Sequence, residues 1–558
     1  MLLKDYMVVV DHHISQIKHL IKILVVNRVY GPIEIRNSCV VLHNYTLGDN
    51  EFLERMFTYY KKEYGRMKPY FMAIKYDAIK KDLYIPGGVD LYNVVRSFGT
   101  GNVIGRIAPD NYEMIGKVLL KKGPRDDRQK KAIRFCLGLE EYSNNRNASQ
   151  ISLNLSTGVG KTYVMVFVFA YYSVKTIMIT STNDWLIQWK EKILEYTNLK
   201  EEEIYIISET PTITKLTSGI VNHNKIKFYL CTHSTIYNYG KNNGWKKVRK
   251  LFQFLNIGIK VFDEAHLNFD NICKIDFAVN CWKNYYLTAT PLKSHKDQDK
   301  IYQIAFKTIP KISLFDSKND PHTAYRAVLF NSHPRTIDVD ECYDHNHGFM
   351  IMKYVDYFSS KPIYYKMLKI LLSRILPTLA PGEKILIYIG KNDAVIKTYY
   401  WIRYVFFNYS CGIYTSITPK NLKHEQLEKT IILTTTKSAS AALDIQGLKV
   451  SIIFAEPFNS FVYARQILGR TRDVNTELFE LVDVGFQQIR GWYQNKRSNI
   501  YCKYATECTE MVLGDYQIQM NLEEIRRNEM LLIDQIHERM KSHQHIVEID
   551  ESVKNKNI

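Results

Sequence analysis

Residues 153–164 read LNLSTGVGKTYV, in which a glycine-rich turn lies between two apolar runs. The run before the turn predicts a strand, and the run after it, YVMVFVFAYY, predicts a helix. Gly158 and Gly160 allow backbone N–H groups to turn toward phosphate oxygens, and the positive end of the helix points to the same place. Lys161 can reach the β- and γ-phosphates of a nucleotide, and Thr162 can hold Mg²⁺ through its hydroxyl. The stretch therefore predicts a phosphate-binding loop.

A second stretch, KVFDEAHLN, supplies the acidic half of such a site. Its apolar residues lead directly into Asp263 and Glu264, as a buried strand delivers carboxylates to the end of a sheet. We expect Asp263 to hold Mg²⁺ and Glu264 to orient and deprotonate the attacking water. Each stretch alone has a simpler interpretation, a glycine turn without a ligand or an ordinary acidic strand end. Together and in this order they predict a site that hydrolyses ATP.

The composition favours a polyanionic partner such as nucleic acid. In a chain of 558 residues, 75 lysines and arginines exceed 57 acidic residues, which gives a formal net charge of +18 at pH 7. The nine cysteines show no paired spacing, as in proteins of a reducing compartment. Neither a signal peptide nor an apolar run of about 18 residues is visible. We therefore expect a soluble, intracellular protein that does not contact a membrane.

Two long segments alternate short apolar runs with helical patterns, which is typical of α/β folds with doubly wound parallel sheets. In the first segment, the runs that end in small or polar residues are KTIMITST, IKFYLCTH, IKVFDEAH and NYYLTATP. In the second segment, they are EKILIYIG, KTIILTTT and VSIIFAEP. The sequence thus predicts two similar α/β domains in tandem, at 106–310 and 311–505, with FDSKNDPHTAY as the linker.

The ends of the chain differ from these two segments. Residues 1–105 predict a small α+β module, with strand patterns in PIEIRNSCVVLHN and YFMAIKYDAIKKDLYIP and helical spacing in EFLERMFTYYKKEYG between them. Residues 506–558 predict a helical extension, because apolar residues recur there at helical spacing.

In these motifs the chain resembles the superfamily-2 helicases and translocases. Within them it resembles the DEAH-box group that includes phage fork-remodelling (UvsW-like) and poxvirus transcript-release helicases. The resemblance spans about residues 125–475, with the motifs in the expected order. It implies two RecA-like domains that hold ATP between them and bind nucleic acid across both. It also implies a viral or phage source, a monomer, and partners in replication, recombination or transcription, in the host cytoplasm.

The resemblance also assigns roles around the nucleotide. Gln129 matches the glutamine that reads adenine, although Asp126 stands where the family has arginine. Thr288 and Thr290 in LTATP, together with His266, match residues that couple the state of ATP to domain motion. The candidates for nucleotide binding are Gln129, Thr157, Gly158, Gly160, Lys161, Thr162, Asp444 and Gln466.

The second domain carries two further motifs of the family. In TTTKSASAALDIQGL, Asp444 is expected to contact the ribose. In QILGRTRD, Gln466 and Arg470 fit, but Asp473 stands where the second arginine is usual, so Arg472 is the alternative candidate. Such an arginine stabilises charge on the γ-phosphate and accelerates hydrolysis by roughly 10³ to 10⁵. We expect Arg470→Ala to lose nearly all ATPase activity and to retain ATP binding.

The predicted contacts to nucleic acid are mostly hydroxyl groups, because translocases of this type hold the phosphate backbone. TSTNDWLIQWKE, CTHSTIY and the second-domain motif supply the candidates, which are Thr182, Gln188, Trp189, Thr232, Thr235 and Thr436. The alternative is that the threonines lie buried at strand ends and satisfy the backbone.

The N-terminal module contains YYKKEYGRMKPY, in which tyrosines alternate with Lys61, Lys62, Arg66 and Lys68. Such a patch can stack bases or bind duplex phosphates, and a tyrosine-rich core with a charged rim is an equal alternative. If the first interpretation holds, deleting residues 1–105 weakens duplex binding and spares basal ATPase activity.

Three functions remain open from the sequence. The first is an ATP-driven helicase or translocase, with DNA favoured over RNA. The second is the motor of a restriction-type nuclease, and the third is a nucleotide-gated scaffold that binds nucleic acid without turnover. The presence of Lys161, Asp263 and Glu264 together favours an enzyme.

Overall fold

The structure is a computed structural model that divides into two compact units, Met1–Phe315 and Asp316–Ile558. It describes residues 31–48, 50–63, 66–92, 94, 103–155, 159–288, 296–314, 323–332, 339–345, 348–419, 421–439, 445–469 and 476–513. None of the helices within these ranges combines the length and apolar character that crossing a bilayer requires.

The first unit begins with a small mixed sheet. Its strands are β1 (Ile33–Ile35), β2 (Cys39–Leu42), β5 (Lys75–Asp77), β6 (Asp82–Pro86) and β7 (Val103–Arg106), in the spatial order β5-β6-β2-β1-β7. The chain between β2 and β5 forms helix α1 (Glu51–Met56) and a two-stranded antiparallel ribbon of β3 (Thr58–Glu63) and β4 (Arg66–Phe71). An α+β module is therefore present.

The prediction of a helix for EFLERMFTYYKKEYG was wrong for the TYYKKE part of this stretch. The helix ends at Met56, and TYYKKE forms strand β3. Thr58, Tyr59 and Tyr60 favour strands because their side chains are β-branched or aromatic. Tyr59 also lies opposite Tyr70 on β4, with the two rings stacked at 5.6 Å between centroids. This cross-strand contact, which helical periodicity does not reveal, favours the ribbon.

The small sheet packs directly on the large sheet of the same unit. Asn37 donates its backbone N–H to Asn280 Oδ1 at 2.8 Å and its side-chain N–H to the Cys281 carbonyl at 3.0 Å. Ser38 Oγ donates to the Asp276 carbonyl at 2.9 Å. Buried residues of the small sheet and of one face of the large sheet form one continuous core. The small N-terminal sheet thus shares its core with the large sheet of the first unit.

The large sheet of the first unit contains seven parallel strands in the order β10-β11-β9-β12-β13-β8-β14. The strands are β8 (Gln150–Leu155), β9 (Thr176–Thr180), β10 (Ile204–Ile207), β11 (Phe228–Thr232), β12 (Ile259–Phe262), β13 (Lys283–Thr288) and β14 (Lys311–Leu314). Five of them, β8, β9, β11, β12 and β13, are buried along their whole length, as is typical of central strands in a parallel sheet that is covered on both faces.

The helices of this unit connect the parallel strands. They are α2 (Asp127–Leu137), α3 (Lys161–Tyr172), α4 (Asn183–Tyr196), α5 (Thr210–Thr217), α6 (His233–Asn243), α7 (Trp245–Phe254), α8 (Phe269–Ala278) and α9 (Lys296–Ala305).

The second unit contains another sheet of seven parallel strands, in the order β17-β18-β16-β19-β20-β15-β21. Its strands are β15 (Thr323–Phe330), β16 (Lys384–Ile389), β17 (Cys411–Tyr414), β18 (Ile431–Thr434), β19 (Leu448–Ala455), β20 (Thr476–Asp483) and β21 (Glu507–Val512). Its helices are α10 (Ile351–Ser359), α11 (Pro362–Ile375), α12 (Asn392–Val405), α13 (Lys423–Leu427), α14 (Thr436–Ala439), α15 (Phe461–Leu468), α16 (Gln487–Lys496) and α17 (Cys502–Tyr504). The predicted fold class, two tandem RecA-like α/β sheets, is confirmed.

The predicted boundaries differ from the strands in three places. Strand β14 pairs with β8, so the first sheet extends past residue 310. Strand β15 starts at Thr323, inside the predicted linker. Strand β21 pairs with β15 where a helical extension was predicted, and residues 514–558 lie outside the described part of the chain. Edge strands such as β14 and β21 are partly exposed, so burial marks them less clearly in the sequence than it marks the central strands.

Candidate nucleotide and nucleic-acid sites

The phosphate loop follows strand β8 and leads into helix α3. Gly160 is the N-cap of α3 and has a φ of 91°, which favours glycine. A Cβ at this position would also lie 2.2 Å from Gln129 Nε2, so a side chain here would have to displace the Gln129 amide. Thr157 and Gly158 lie outside the described residues. Lys161 and Thr162 occupy the first turn of α3, where the positive end of the helix lies.

Four of the predicted residues form a chain of polar contacts across the strand ends. Lys161 Nζ donates to Glu264 Oε1 at 2.9 Å. His266 Nδ1 lies 3.3 Å from Glu264 Oε2 and 2.7 Å from Thr288 Oγ1. His266 is buried at the centre of this chain. The structure thus brings together the loop lysine, the DEAH residues and the end of β13, and Thr290 lies outside the described residues.

Glu264 has an unusual backbone conformation. Its φ is 49°, in the left-handed region. Such a conformation in a residue other than glycine costs on the order of 1–3 kcal/mol and is frequent at functional sites. Here it accompanies a carboxylate that contacts both Lys161 and His266.

Asp263 is held by two donors, one of which sequence reasoning missed. Its Oδ1 accepts the backbone N–H of Glu264 at 3.0 Å, and its Oδ2 accepts the indole N–H of Trp189 at 2.9 Å. Burial and the neighbouring Glu264 carboxylate raise the pKa of Asp263 to about 6. Trp189 belongs to the motif that was predicted to support contact with nucleic acid, and that role stays a prediction; its side chain is 4% exposed and donates to Asp263.

Gln129 braces the phosphate loop. Its Nε2 donates to the Val159 carbonyl at 3.0 Å, and its Oε1 accepts the backbone N–H of Arg125 at 2.7 Å. Asp126 is the N-cap of α2 and accepts the Gln129 N–H at 2.9 Å. Capping of α2 is a structural reason for an aspartate at position 126, where the family has arginine. The role of Gln129 in reading adenine stays a prediction.

A cavity of about 430 Å³ lies at the carboxyl ends of β9 and β11 in the same unit. We name it the hydroxyl groove, and the residues that line it include Thr182, Ser208, Glu209, Thr232, Ser234 and Thr235. Helices α4, α5 and α6 all begin here, because their N-caps are Thr182, Glu209 and Thr232. Helix N-termini carry partial positive charge, so those of α4 and α6 favour an anion such as a phosphate, whereas the Glu209 carboxylate occupies the start of α5.

The hydroxyls of the groove divide into buried and exposed groups. Thr235 Oγ1 donates to the Ser208 carbonyl at 2.8 Å, and Thr232 Oγ1 accepts the Thr235 N–H at 3.2 Å. Both threonines are buried and bond to backbone groups. This arrangement agrees with the alternative from the sequence, in which the threonines lie at strand ends and satisfy the backbone. Thr182 and Ser234 are exposed. Ser234 was not among the predicted residues, and Gln188 lies half-buried on α4.

In the second unit, Thr436 is bonded to a residue that the motifs did not indicate. Its backbone N–H donates to Glu456 Oε2 at 2.8 Å, and its hydroxyl donates to Glu456 Oε1. Both residues are buried, and burial raises the pKa of Glu456 to about 7. Gln466 is buried on α15. Asp444, Arg470 and Arg472 lie outside the described residues.

Comparison with known proteins gives a family match in the first unit. Residues 122–293 match the family described as "Type III restriction enzyme, res subunit". The matched range contains Lys161, Asp263, Glu264 and Thr288, and it supports the superfamily-2 assignment. The narrower resemblance to DEAH-box phage and poxvirus helicases stays a prediction. No curated protein matches the chain.

The chain is also remotely similar to solved structures. For the fragment structure of a putative HsdR subunit of a type I restriction enzyme from Vibrio vulnificus YJ016, the identity is 14%, the coverage is 69% of this chain and 68% of that chain, and the TM-score is 0.46. For Mss116p bound to ssRNA and AMP-PNP, the identity is 13%, the coverage is 74% of this chain and 84% of that chain, and the TM-score is 0.48. For T4 UvsW, the identity is 12%, the coverage is 86% of this chain and 99% of that chain, and the TM-score is 0.32.

Proposed function

We propose that this superfamily-2 chain is an ATP-driven helicase or translocase that moves on the phosphate backbone of nucleic acid, with DNA as the expected track. One observation supports the proposal above all. Lys161 Nζ lies 2.9 Å from Glu264 Oε1, with Asp263 beside it and His266 connecting Glu264 to Thr288. A phosphate-loop lysine and two carboxylates at the same edge of a parallel sheet are the groups that hydrolysis of a nucleoside triphosphate requires.

The contact between Lys161 and Glu264 suggests how nucleotide binding activates the site. Without nucleotide, the ammonium group neutralises the carboxylate. When the phosphates of ATP enter the loop, they compete for Lys161, and the Glu264 carboxylate is released. Glu264 then accepts a proton from the water that attacks the γ-phosphate, and ADP and phosphate leave.

The available oxygen donors fit Mg²⁺, a cation that prefers oxygen ligands. Asp263 is a buried carboxylate beside a second carboxylate, and their repulsion raises the pKa of Asp263 to about 6. A cation there would offset this repulsion. We therefore assign Asp263 and the Thr162 hydroxyl as the groups that would hold Mg²⁺, which neutralises charge on the triphosphate when bound.

The hydroxyl groove is the proposed contact for a nucleic-acid strand. The N-termini of α4 and α6 favour a phosphate there, and exposed Thr182 and Ser234 offer hydroxyl donors. The net charge of +18 adds a long-range attraction to any polynucleotide. The groove distinguishes neither base sequence nor sugar, so it agrees with binding through the backbone.

The ribbon of β3 and β4 is a second proposed contact. Tyr60 and Phe71 share one of its faces and are 47% and 50% exposed. Exposed rings of this kind stack on unpaired bases. Lys61, Lys62 and Arg66 add positive charge to the same hairpin.

The proposed function is tested by ATP hydrolysis in the presence of single-stranded DNA, duplex DNA, forked DNA and RNA, each over a series of salt concentrations. We expect at least one polynucleotide to stimulate hydrolysis, and the stimulation to fall as salt rises, because phosphate contacts release counterions. The proposal fails if the wild-type protein hydrolyses ATP with none of these polymers and binds none of them.

A restriction-type motor is a second candidate, which the family match at residues 122–293 favours. It shares the ATPase site and adds DNA cleavage. Incubation with ATP, Mg²⁺ and supercoiled DNA separates the two functions, because only the nuclease assembly converts the supercoil to open or linear forms.

A further inference from the structure

Trp189 lies between the two sites that the proposed function uses. It is on helix α4, and its side chain is 4% exposed. Its indole N–H donates to Asp263 Oδ2 at 2.9 Å, whereas Oδ1 accepts the Glu264 N–H at 3.0 Å. Each oxygen of this carboxylate is therefore held by a separate donor. One donor belongs to the strand-end loop and the other belongs to α4.

The N-terminal end of α4 lies at the hydroxyl groove. Thr182 is the N-cap of this helix, and Asn183, its first residue, also lines the groove. Trp189 follows Thr182 by about two helical turns, which places it about 10 Å along the axis and on a similar side. An α-helix of this length transmits a displacement as a rigid body. A phosphate at the start of α4 and the Asp263 carboxylate thus contact the same rigid element.

Helix α4 is also firmly seated in the unit. Trp185, Leu186 and Ile193 are buried along with Trp189. These side chains form the face of α4 that packs on the core. The orientation of the indole is therefore set by the position of the whole helix, and a shift of the helix changes the donor that Asp263 receives.

We propose that Trp189 is a positioning residue: its indole N–H fixes the Asp263 carboxylate for a magnesium-bound nucleotide and makes that orientation depend on a strand in the hydroxyl groove. This inference rests on the proposed function, and it adds a residue that links the two ligands. Trp189 itself contacts neither of them.

The test is Trp189→Phe in the full chain, which keeps an aromatic ring and removes the indole N–H. The binding of a fluorescent, non-hydrolysable ATP analogue is titrated with Mg²⁺, with and without a single-stranded DNA oligonucleotide. Loss of a group that orients a metal ligand typically costs 10- to 100-fold in metal affinity. We expect the Mg²⁺ concentration for half-maximal binding to rise about 10-fold, while binding in EDTA and DNA binding without nucleotide change less than about twofold.

Two further variants make the result specific. Trp185→Phe is the matched control, because Trp185 has the same exposure and lies on the same helix. It is expected to keep the wild-type Mg²⁺ dependence. In an Asp263→Asn background, Trp189→Phe should have no additional effect on Mg²⁺ dependence. The positioning role is overturned if Trp189→Phe matches wild type, or if its effect persists in that background.

A measurement on the unmutated indole decides the question if Trp189→Phe does not fold. The chain contains six tryptophans, and selective ¹⁵N labelling gives their indole N–H resonances. Asp263→Asn and the addition of oligonucleotide should shift the same resonance, and different resonances or none would contradict the link. If the wild-type protein binds neither nucleotide nor DNA, the proposed function itself has failed.

Discussion

At the scale of single residues, the nucleotide site contains charges that compensate one another before any ligand arrives. Lys161 and Glu264 are largely buried and form an ion pair, with 14% and 10% of their side chains exposed. Removing one partner of such a pair leaves an uncompensated charge, which is costly. Substitutions of the two residues should still affect different steps, because Lys161 contacts the phosphates of the proposed nucleotide and Glu264 acts in hydrolysis.

We expect Glu264→Gln to retain nucleotide binding and to lose about 10²- to 10⁴-fold in ATP hydrolysis, since the loss is that of a general base. Lys161→Ala should lose nucleotide binding as well, because it removes the positive charge at the phosphates. Nucleotide titration and phosphate release measure the two steps separately. Equal loss of binding in both variants would contradict the assigned roles.

Glu456 gives a prediction about pH and stability. Burial raises the pKa of its carboxyl from 4.5 to about 7 in the folded protein, so the folded state disfavours the ionised form. The contribution of the Glu456 carboxyl to the free energy of unfolding is fully present below about pH 4.5 and is lost as the pH rises through about 7. From pH 5 to pH 8 the loss is on the order of 2 kcal/mol.

Glu456→Gln should remove this pH dependence and keep an acceptor for the Thr436 N–H. Thermal unfolding of both proteins at pH 5 and pH 8 measures the effect. We expect the difference in Tm between variant and wild type to shift in favour of the variant as the pH rises. A difference that stays constant between the two pH values would show that Glu456 does not titrate in this range.

The residues that the sequence predicted and those that it missed differ in how they reach the site. Asp263 and Glu264 directly follow a strand-like run, and Lys161 follows one after the glycine-rich loop, so their position at the sheet edge follows from parallel topology. Trp189 reaches Asp263 from the second turn of a helix, and Glu456, which follows β19, reaches Thr436, which follows β18, although β16 lies between these strands in the sheet. Such contacts depend on helix rotation and strand order, which periodicity alone does not specify.

At the scale of elements, central parallel strands were predictable and the exposed hairpin was not. Strands β9, β12 and β13 are buried along their whole length, and their sequences contain the apolar stretches IMI, VF and YYL. In the ribbon, β3 reads TYYKKE and β4 reads RMKPYF, so neither strand shows a strict alternation of apolar and polar residues, and a helical spacing fits the same letters. Cross-strand pairing decides between the two structures.

The ribbon supports a prediction about strand binding. We expect the double variant Tyr60→Ser, Phe71→Ser to bind single-stranded DNA about 10-fold more weakly, since a base stacked on an aromatic ring is worth about 1–3 kcal/mol. Basal ATP hydrolysis should not change, because these side chains lie on an exposed face. Fluorescence anisotropy with a labelled oligonucleotide measures the affinity.

The matched control for the ribbon is Ile79→Ser, which removes an apolar side chain that is 96% exposed in the same N-terminal sheet region. It should bind DNA like wild type. Equal affinities for the double variant and this control would remove the ribbon from the DNA-binding surface.

At the scale of the whole molecule, the two compact units differ in what they contain. The described part of the Lys161–Glu264–His266–Thr288 chain and the hydroxyl groove lie entirely within Met1–Phe315. This unit also includes the small N-terminal sheet, whose core is continuous with that of the large sheet. Deleting residues 1–105 would therefore expose this core and unfold the unit, so that deletion does not test DNA binding by the N-terminal residues.

A fragment of residues 1–315 tests the division of labour between the units. It retains the shared core, so we expect it to fold and to unfold cooperatively. It should bind the ATP analogue within about 10-fold of the full chain, because the described lysine and carboxylates are all present. It should not show hydrolysis stimulated by DNA, since Arg470 and Thr436 belong to the second unit. Circular dichroism, nucleotide titration and phosphate release check these three outcomes. A folded fragment that hydrolyses ATP with full DNA stimulation would show that the second unit does not take part in catalysis.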